Sequence, residues 1–413
     1  MAFLQWLKNF GGVVALAAMV MPAARAQIPE LAANGITLSI QRNGITVSGI
    51  SSGAAMAHQL HIAHSNDIAG VGMVAGPPFR CADYLKGNTT TPFTSEVVAI
   101  TMCTAYYKKL GFGNPIAVFG GMPITLVRLQ VLANEAFQSG RVDPKSGLCG
   151  DRVFLIAGGK DDTVPANVTQ ATKELYEWLL AACGGGVPVE QLLKEVKLRD
   201  MPHTMPTDSL LDGQNCPPGA PFIADCDFQG AGYILKFLYP AKAAAPQANR
   251  PASRENLFNF DQHQVIGAFE PKGMMHKNGY IYVPDACQHG ETCPLHVAFH
   301  GCRQNEDQIN AESNNLSKEY LFAADAGYNE FAERNNLVVL YPQVNNTSQV
   351  GENPAGCWDW WGYTEPVFYQ QGARQIQNIW KIVGEVARVR QQIGERGAPK
   401  GSSRGFRATP ADR

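Results

Sequence analysis

Residues 47–57 read VSGISSGAAMA. A strand-rich stretch, 36–50, ends in ITVSGIS and leads into Gly49-Ile50-Ser51-Ser52-Gly53, and a helix-compatible stretch, 52–63, leads out. Strand, G-x-S-x-G turn and helix are the parts of a nucleophile elbow, in which a sharp turn exposes a serine hydroxyl at the top of a sheet. The pentapeptide alone also fits an ordinary Gly/Ser turn, because both residues are common in loops. The flanking strand and helix favour the elbow and make Ser51 the candidate nucleophile.

The position of the elbow is unusual. In an ordinary α/β-hydrolase it follows the fifth strand, whereas here little more than one strand precedes it. What comes before reads as a leader. Lys8 supplies a positive start, 10–21 (FGGVVALAAMVM) is apolar, and Ala24-Arg25-Ala26 is a small-x-small cleavage site. Cleavage is expected before Gln27, making 1–26 a signal peptide. The apolar core is too short to span a bilayer, and no later segment is long and apolar enough, so no membrane anchor is expected. Removing the leader takes Lys8 and Arg25 and no acid, and moves the net charge from −2 to −4. A mildly acidic chain argues against a nucleic-acid partner or an anionic membrane surface.

All ten cysteines follow the leader. An even count in an exported chain implies disulfides. Short spacing favours Cys287–Cys293 and Cys216–Cys226. No C-x2-C pair occurs, so no structural zinc site is expected.

Along the chain, short apolar runs alternate with helical stretches. Strands are expected at 70–75, 153–159, 279–283, 295–299 and 337–341. Helices are expected at 52–63, 165–182, 230–238, 307–335 and 375–392, with a helical turn and then a strand across 187–198. This alternation indicates an α/β fold with a mostly parallel central sheet and helices on both faces. Residues 241–254 (AKAAAPQANRPASR) read as a linker, and 397–413 as a polar, disordered tail. The expected organisation is a single catalytic domain over 27–395, in two halves at 27–240 and 255–395, with a tail over 396–413.

A catalytic serine requires a base, an orienting acid and an oxyanion hole. For the acid, the turn GGKDDTVPAN follows the VFLIA strand, and a carboxylate there sits on the edge where α/β sheets bind ligands. Asp161 and Asp162 are both available; one of them could merely cap the turn before the helix that starts at Pro165, and both readings can hold, one for each residue. His203, in RDMPHTMPTD, is the candidate base, giving the chain order Ser…Asp…His of α/β-hydrolases. His58, His61 and His64 recur every third residue after the elbow, but helical rotation spreads them around the axis, so no site built from these three is expected.

The oxyanion hole resolves the puzzle of position. Its donors are the N–H after the nucleophile, here Ser52, and one from the loop after an earlier strand, often with an H-G motif. LHVAFHGCRQ, 295–304, has that form, yet it follows Ser51 by more than 240 residues. The LVVLY strand and the helix near 375–392 follow it in turn. The parts that should precede the elbow lie at the end of the chain, which reads as a circularly permuted α/β-hydrolase. Termini that lie close in space make such a permutation tolerable.

Together these stretches resemble the secreted polyhydroxyalkanoate (poly-3-hydroxybutyrate) depolymerase family of the permuted type. The similarity rests on GISSG at 49–53, D-x-T-V at 161–164, HTMPTD at 203–208, GYIYVPDAC at 279–287, HVAFHGCRQ at 296–304 and GCWDWWGY at 356–363. It spans about residues 36–395. The resemblance implies Ser51 as nucleophile, Asp161 as triad acid, His203 as base, and the N–H groups of Ser52 and Cys302 as oxyanion donors. It departs from the family in the paired Asp161-Asp162. Many secreted members also carry a separate polymer-binding domain, whereas only a short tail follows residue 395, so soluble oligomers are expected substrates alongside polymer. No metal or organic cofactor is required by this chemistry, and a monomer is expected.

A Cys302–Cys357 bridge would fix the oxyanion loop and the CWDWW run beside the site. Trp358 or Trp361, with His300, would line the cleft; the alternative for the tryptophans is aromatic core. Two other functions fit the same sequence: a secreted feruloyl or acetyl-xylan esterase, and a catalytically silent protein that binds polyester surfaces.

Overall fold

A computed structural model of the chain describes residues 28–86, 94–105, 123–183, 187–208, 216–244, 251–267, 275–307, 321–346 and 353–387. The expected leader and the 397–413 tail lie outside them. Among the described residues ten strands are present: β1 (Ser39–Ile50), β2 (Ile68–Val74), β3 (Arg152–Gly158), β4 (Leu193–Leu198), β5 (Met205–Thr207), β6 (Ile223–Asp225), β7 (Leu257–Asp261), β8 (Asn278–Tyr282), β9 (Thr292–Phe299) and β10 (Val338–Tyr341). Eight of them form one sheet in the order β4-β3-β2-β1-β9-β10-β8-β7, and β5 and β6 form a small parallel pair beside it.

Every pairing from β4 to β10 is parallel; β8 runs antiparallel to both β10 and β7. β1 lies at the centre between β2 and β9, with Gly49 opposite Met73 on one side and Phe299 on the other. Counted from β7, the spatial order becomes 1-2-4-3-5-6-7-8 and the elbow follows the fifth strand. The permutation is therefore visible in the topology: the half that precedes the elbow in an ordinary α/β-hydrolase is supplied by residues after 250.

Because side chains alternate across a strand, each central strand feeds two cores. On β3, Val153 and Leu155 join the larger core and Phe154 and Ile156 the smaller. The larger core packs against helices Ser52–Ala63, Leu126–Gln138, Ala166–Ala181 and Arg374–Ala387; the smaller packs against Gly230–Leu238, Leu321–Asp325 and Tyr328–Asn335. Strands buried on both faces explain the near-continuous apolar runs read from the sequence. The Ser52–Ala63 helix is buried along its whole length, lying against β1, β2 and β9.

Three expectations need correction. The helix expected over 307–335 is two short helices in the part described, because Gly327 at φ +86° breaks the run between them. The start of the expected 241–254 linker is helical, Pro240–Ala244. The stretch between β2 and β3, in which no element was expected, contains helices Ser95–Thr101 and Leu126–Gln138. Its cysteines are tied down: the disulfides are Cys81–Cys103, Cys149–Cys183, Cys216–Cys226, Cys287–Cys293 and Cys302–Cys357.

Candidate active site

Ser51 stands between β1 and its helix at φ 56°, ψ −121°, a conformation that L-residues rarely adopt. The turn is locked from below by the Ser51 N–H, which donates to Val74 O at 2.9 Å. Its flanking glycines are steric necessities. A Cβ on Gly49 would fall 2.4 Å from the Gly53 carbonyl carbon, and one on Gly53 would fall 2.3 Å from His300 O. The pentapeptide thus lets the helix start, the strand end and the β9 loop meet backbone to backbone.

Parallel strands bring the other candidates to the same edge of the sheet. Asp161 follows β3 and His203 follows β4. His203 Nδ1 lies 2.8 Å from Asp161 Oδ2, with the Asp161 side chain fully buried. Asp161 Oδ1 accepts the N–H groups of Thr163 (2.8 Å) and Val164 (2.7 Å). Asp161 thus both closes the turn and faces the imidazole. The Asp162 carboxylate is engaged by the Thr163 hydroxyl at 3.2 Å. With Nδ1 held by the carboxylate, Nε2 is the ring nitrogen left for a hydroxyl.

The β9 loop supplies the second set of donors. Gly301 N–H is held by Gln304 Oε1 (2.6 Å), Arg303 N–H by Ala355 O (2.7 Å) and Gln304 N–H by Gly301 O (3.3 Å). Among the described residues the Cys302 N–H has no acceptor, so it is the loop donor left to meet a ligand. The Ser52 N–H opens a helix and has no intrahelical acceptor. Gln304 also donates from Nε2 to Pro221 O (3.1 Å) and Phe222 O (3.0 Å). The Phe222 ring lies edge-on to His203, 6.3 Å between centroids. Gln304 thus ties the loop to the segment beside His203. Sequence reasoning missed it, although it ends the HVAFHGCRQ stretch.

The CWDWW run straps this assembly. Cys357 is bonded to Cys302, and the Trp358 N–H donates to Ser52 Oγ at 3.3 Å. Asp359, also missed from sequence, is buried and gathers the N–H groups of Trp361, Gly362, Tyr363 and Thr364. Burial raises its carboxyl above the usual range, against the pull of these donors.

Two of the three proposed cleft residues, Trp358 and His300, are buried rather than facing a cleft. Trp358 is fully buried, edge-on to Phe299 at 5.1 Å and beside His300 at 5.2 Å. His300 is fully buried too, with Nδ1 against Gly301 O at 2.8 Å, and burial lowers its pKa to about 4. These two form the floor under the elbow, because β9 ends at Phe299 with the Phe299 and His300 carbonyls against Gly53. Only Trp361 keeps partial exposure. A cavity of about 960 Å³ adjoins the other flank, walled by Lys160, Asp162, Asp200, His203, Phe222 and the 216–226 disulfide. It reaches His203 but not Ser51.

Strand order, the strained serine and the buried Asp–His pair on one sheet edge define a circularly permuted α/β-hydrolase. Comparison with known proteins narrows this further. The chain is 33% identical over 360 residues to the poly(3-hydroxybutyrate) depolymerase of Delftia acidovorans, covering 86% of this chain and 62% of that protein. It is 30% identical over 366 residues to the polyhydroxybutyrate depolymerase of Talaromyces funiculosus, covering 85% of this chain and 91% of that protein. The chain belongs to the polyhydroxybutyrate depolymerase family. It spans less than two thirds of the length of the Delftia protein. Two solved structures share its fold: a serine-to-alanine variant of a PHB depolymerase complexed with an R3HB trimer, and the PHB depolymerase of Penicillium funiculosum. Each matches at a TM-score of 0.67 and 26% identity over 86% of this chain and 98% of its own. No family model matches the sequence.

Proposed function

We propose that this chain is an exported serine esterase that hydrolyses the ester bonds of poly(3-hydroxybutyrate) or its oligomers. The observation that carries the reading is the 2.8 Å contact of His203 Nδ1 with buried Asp161, on the sheet edge that holds Ser51 at φ 56°. Ser51 attacks the ester carbonyl as His203 takes its proton, and Asp161 holds the imidazole in the tautomer that accepts at Nε2. The N–H groups of Ser52 and Cys302 stabilise the tetrahedral oxyanion, each donor contributing roughly 2.7–4 kcal/mol. The alkoxide leaves with the proton from His203, and water, activated by the same base, releases the hydroxyacid from the acyl-enzyme. The chemistry calls on no cofactor.

Five disulfides support maturation in an oxidising compartment after cleavage near Ala26-Gln27. Among the described residues no helix is long and apolar enough to cross a membrane. Trp361 remains the candidate substrate contact of the CWDWW run, and we assign the working form as a monomer.

The test is release of 3-hydroxybutyrate from amorphous polymer and from soluble oligomers by the mature protein and by Ser51→Ala. Release by wild type alone supports the reading. Release of ferulate or acetate from plant polysaccharide, with no 3-hydroxybutyrate from either substrate, overturns it in favour of the other esterase class.

A further inference from the structure

The end of the sheet away from the elbow holds a second polar cluster. Helix Ser52–Ala63 runs about 18 Å back from the active edge, at 1.5 Å per residue, and stops at His64. Asp67 follows in the turn before β2, and Asp143 precedes the short helical turn Lys145–Leu148. One ring nitrogen of His64 and one carboxylate oxygen from each aspartate lie within 4.8 Å of one another.

Three features set this cluster apart from a solvated acidic patch. His64 and Asp143 are buried, and His64 Nε2 has no hydrogen-bond partner. Among the described residues no lysine or arginine pairs with either aspartate, so two carboxylates face each other uncompensated. The ligand atoms are also braced from behind. The His64 ring stacks on Trp380, centroids 4.0 Å apart and planes at 11°. Asp143 accepts the Asn66 N–H at 3.0 Å and the Gln371 side-chain amide at 3.0 Å, and Gln371 also donates to Ala63 O at 2.7 Å. Metal ligands characteristically carry such supporting bonds.

We propose that His64, Asp67 and Asp143 form a structural binding site for a divalent cation of the Mn²⁺ or Zn²⁺ kind. One imidazole with two carboxylates is a donor set these ions accept, with water completing the shell. Bonds of about 2.0–2.2 Å place neighbouring ligand atoms roughly 3–3.5 Å apart, so the cluster must contract by about an ångström. Asp67, the exposed member, is the one able to swing in. A bound ion would cancel the carboxylate repulsion and pin three segments together: the end of the elbow helix, the approach to β3 and, through Trp380 and Gln371, the helix Arg374–Ala387. Its position a full helix length from Ser51 makes it a stabilising site with no part in the ester chemistry.

The experiment uses mature protein stripped with EDTA and dialysed. Calorimetric titration with MnCl2 and with ZnCl2, and the paramagnetic resonance spectrum of Mn²⁺, should show one ion bound per chain. Saturation should raise Tm by about 3 °C or more. Asp67→Asn should weaken binding at least tenfold while its stripped form melts no lower than stripped wild type, since one repelling charge is gone. Ser51→Ala should bind the ion unchanged. Failure of both ions to bind at millimolar concentration, or binding that Asp67→Asn and His64→Phe leave unaltered, overturns the proposal.

Discussion

Three of the fully buried histidines, His58, His296 and His300, make stability acutely sensitive to mild acid, and buried His64, whose pKa burial also lowers to about 3, adds to them. Burial lowers the pKa of His58 and His296 from 6.5 to about 3, the nearby His61 contributing at His58, and lowers His300 to about 4. The unfolded chain therefore binds more protons than the folded chain between roughly pH 4 and 6.5, and stability falls as pH drops through that window. For one histidine with an unfolded pKa of 6.5 the loss between pH 8 and pH 5 is about 2 kcal/mol, or about 6 kcal/mol for the three. That is comparable with the whole stability of many domains. The buried carboxyls Asp151 and Asp359, both raised mainly by burial, act in the opposite sense as pH falls through their own raised values. A variant separates the contributions. His58 stacks on Tyr176 at 4.6 Å, so His58→Phe keeps an aromatic ring there. Urea unfolding followed from pH 8 to pH 5 should show, below about pH 6, a slope of free energy against pH that is smaller in the variant by nearly one proton, approaching about 1.4 kcal/mol per pH unit. An unchanged slope between pH 6 and 5 would refute the reasoning, because His58 would then titrate alike in both states.

Three further outcomes follow from the site. Asp161→Asn should lower kcat by about 10⁴-fold through the wrong imidazole tautomer, while Asp162→Asn should change it less than about threefold by the same argument; steady-state kinetics on a soluble oligomer checks the pair. Gln304→Ala releases Gly301 N–H and the Pro221–Phe222 carbonyls together, so kcat should fall by about 10–100-fold with a smaller change in KM, as expected for misplaced catalytic groups; an unchanged kcat would remove Gln304 from the positioning scheme. Gly53→Ala forces a Cβ to within 2.3 Å of a backbone oxygen and should destabilise the fold by about 3 kcal/mol or more, read as a lower urea midpoint.

Much of this molecule was legible from local pattern alone. The G-x-S-x-G turn, the apolar runs of β2, β3, β9 and β10, and the amphipathic helix near 375 are set by neighbours in sequence, so periodicity and turn chemistry report them directly. Chain order did more: a His-Gly loop arriving long after the serine implied permutation, and the central place of β1 between β2 and β9 agrees. Local pattern could not decide among contacts made across the fold. Asp161 and Asp162 are equivalent as residue types, and only the packing of β3 beside β4 turns one of them to His203. Trp358 and His300 carry the chemistry of a cleft wall, yet the close approach of Gly53 to β9 draws that loop under the elbow and buries both. Gln304 and Asp359 bind backbone groups that no motif foretells. Sequence by itself determined most of the sheet's central strands and the order of the two halves, because these depend on neighbouring residues; tertiary structure alone decided which polar groups meet, because a hydrogen bond needs its partners within about 3 Å, and that distance is set by the packing of the whole sheet.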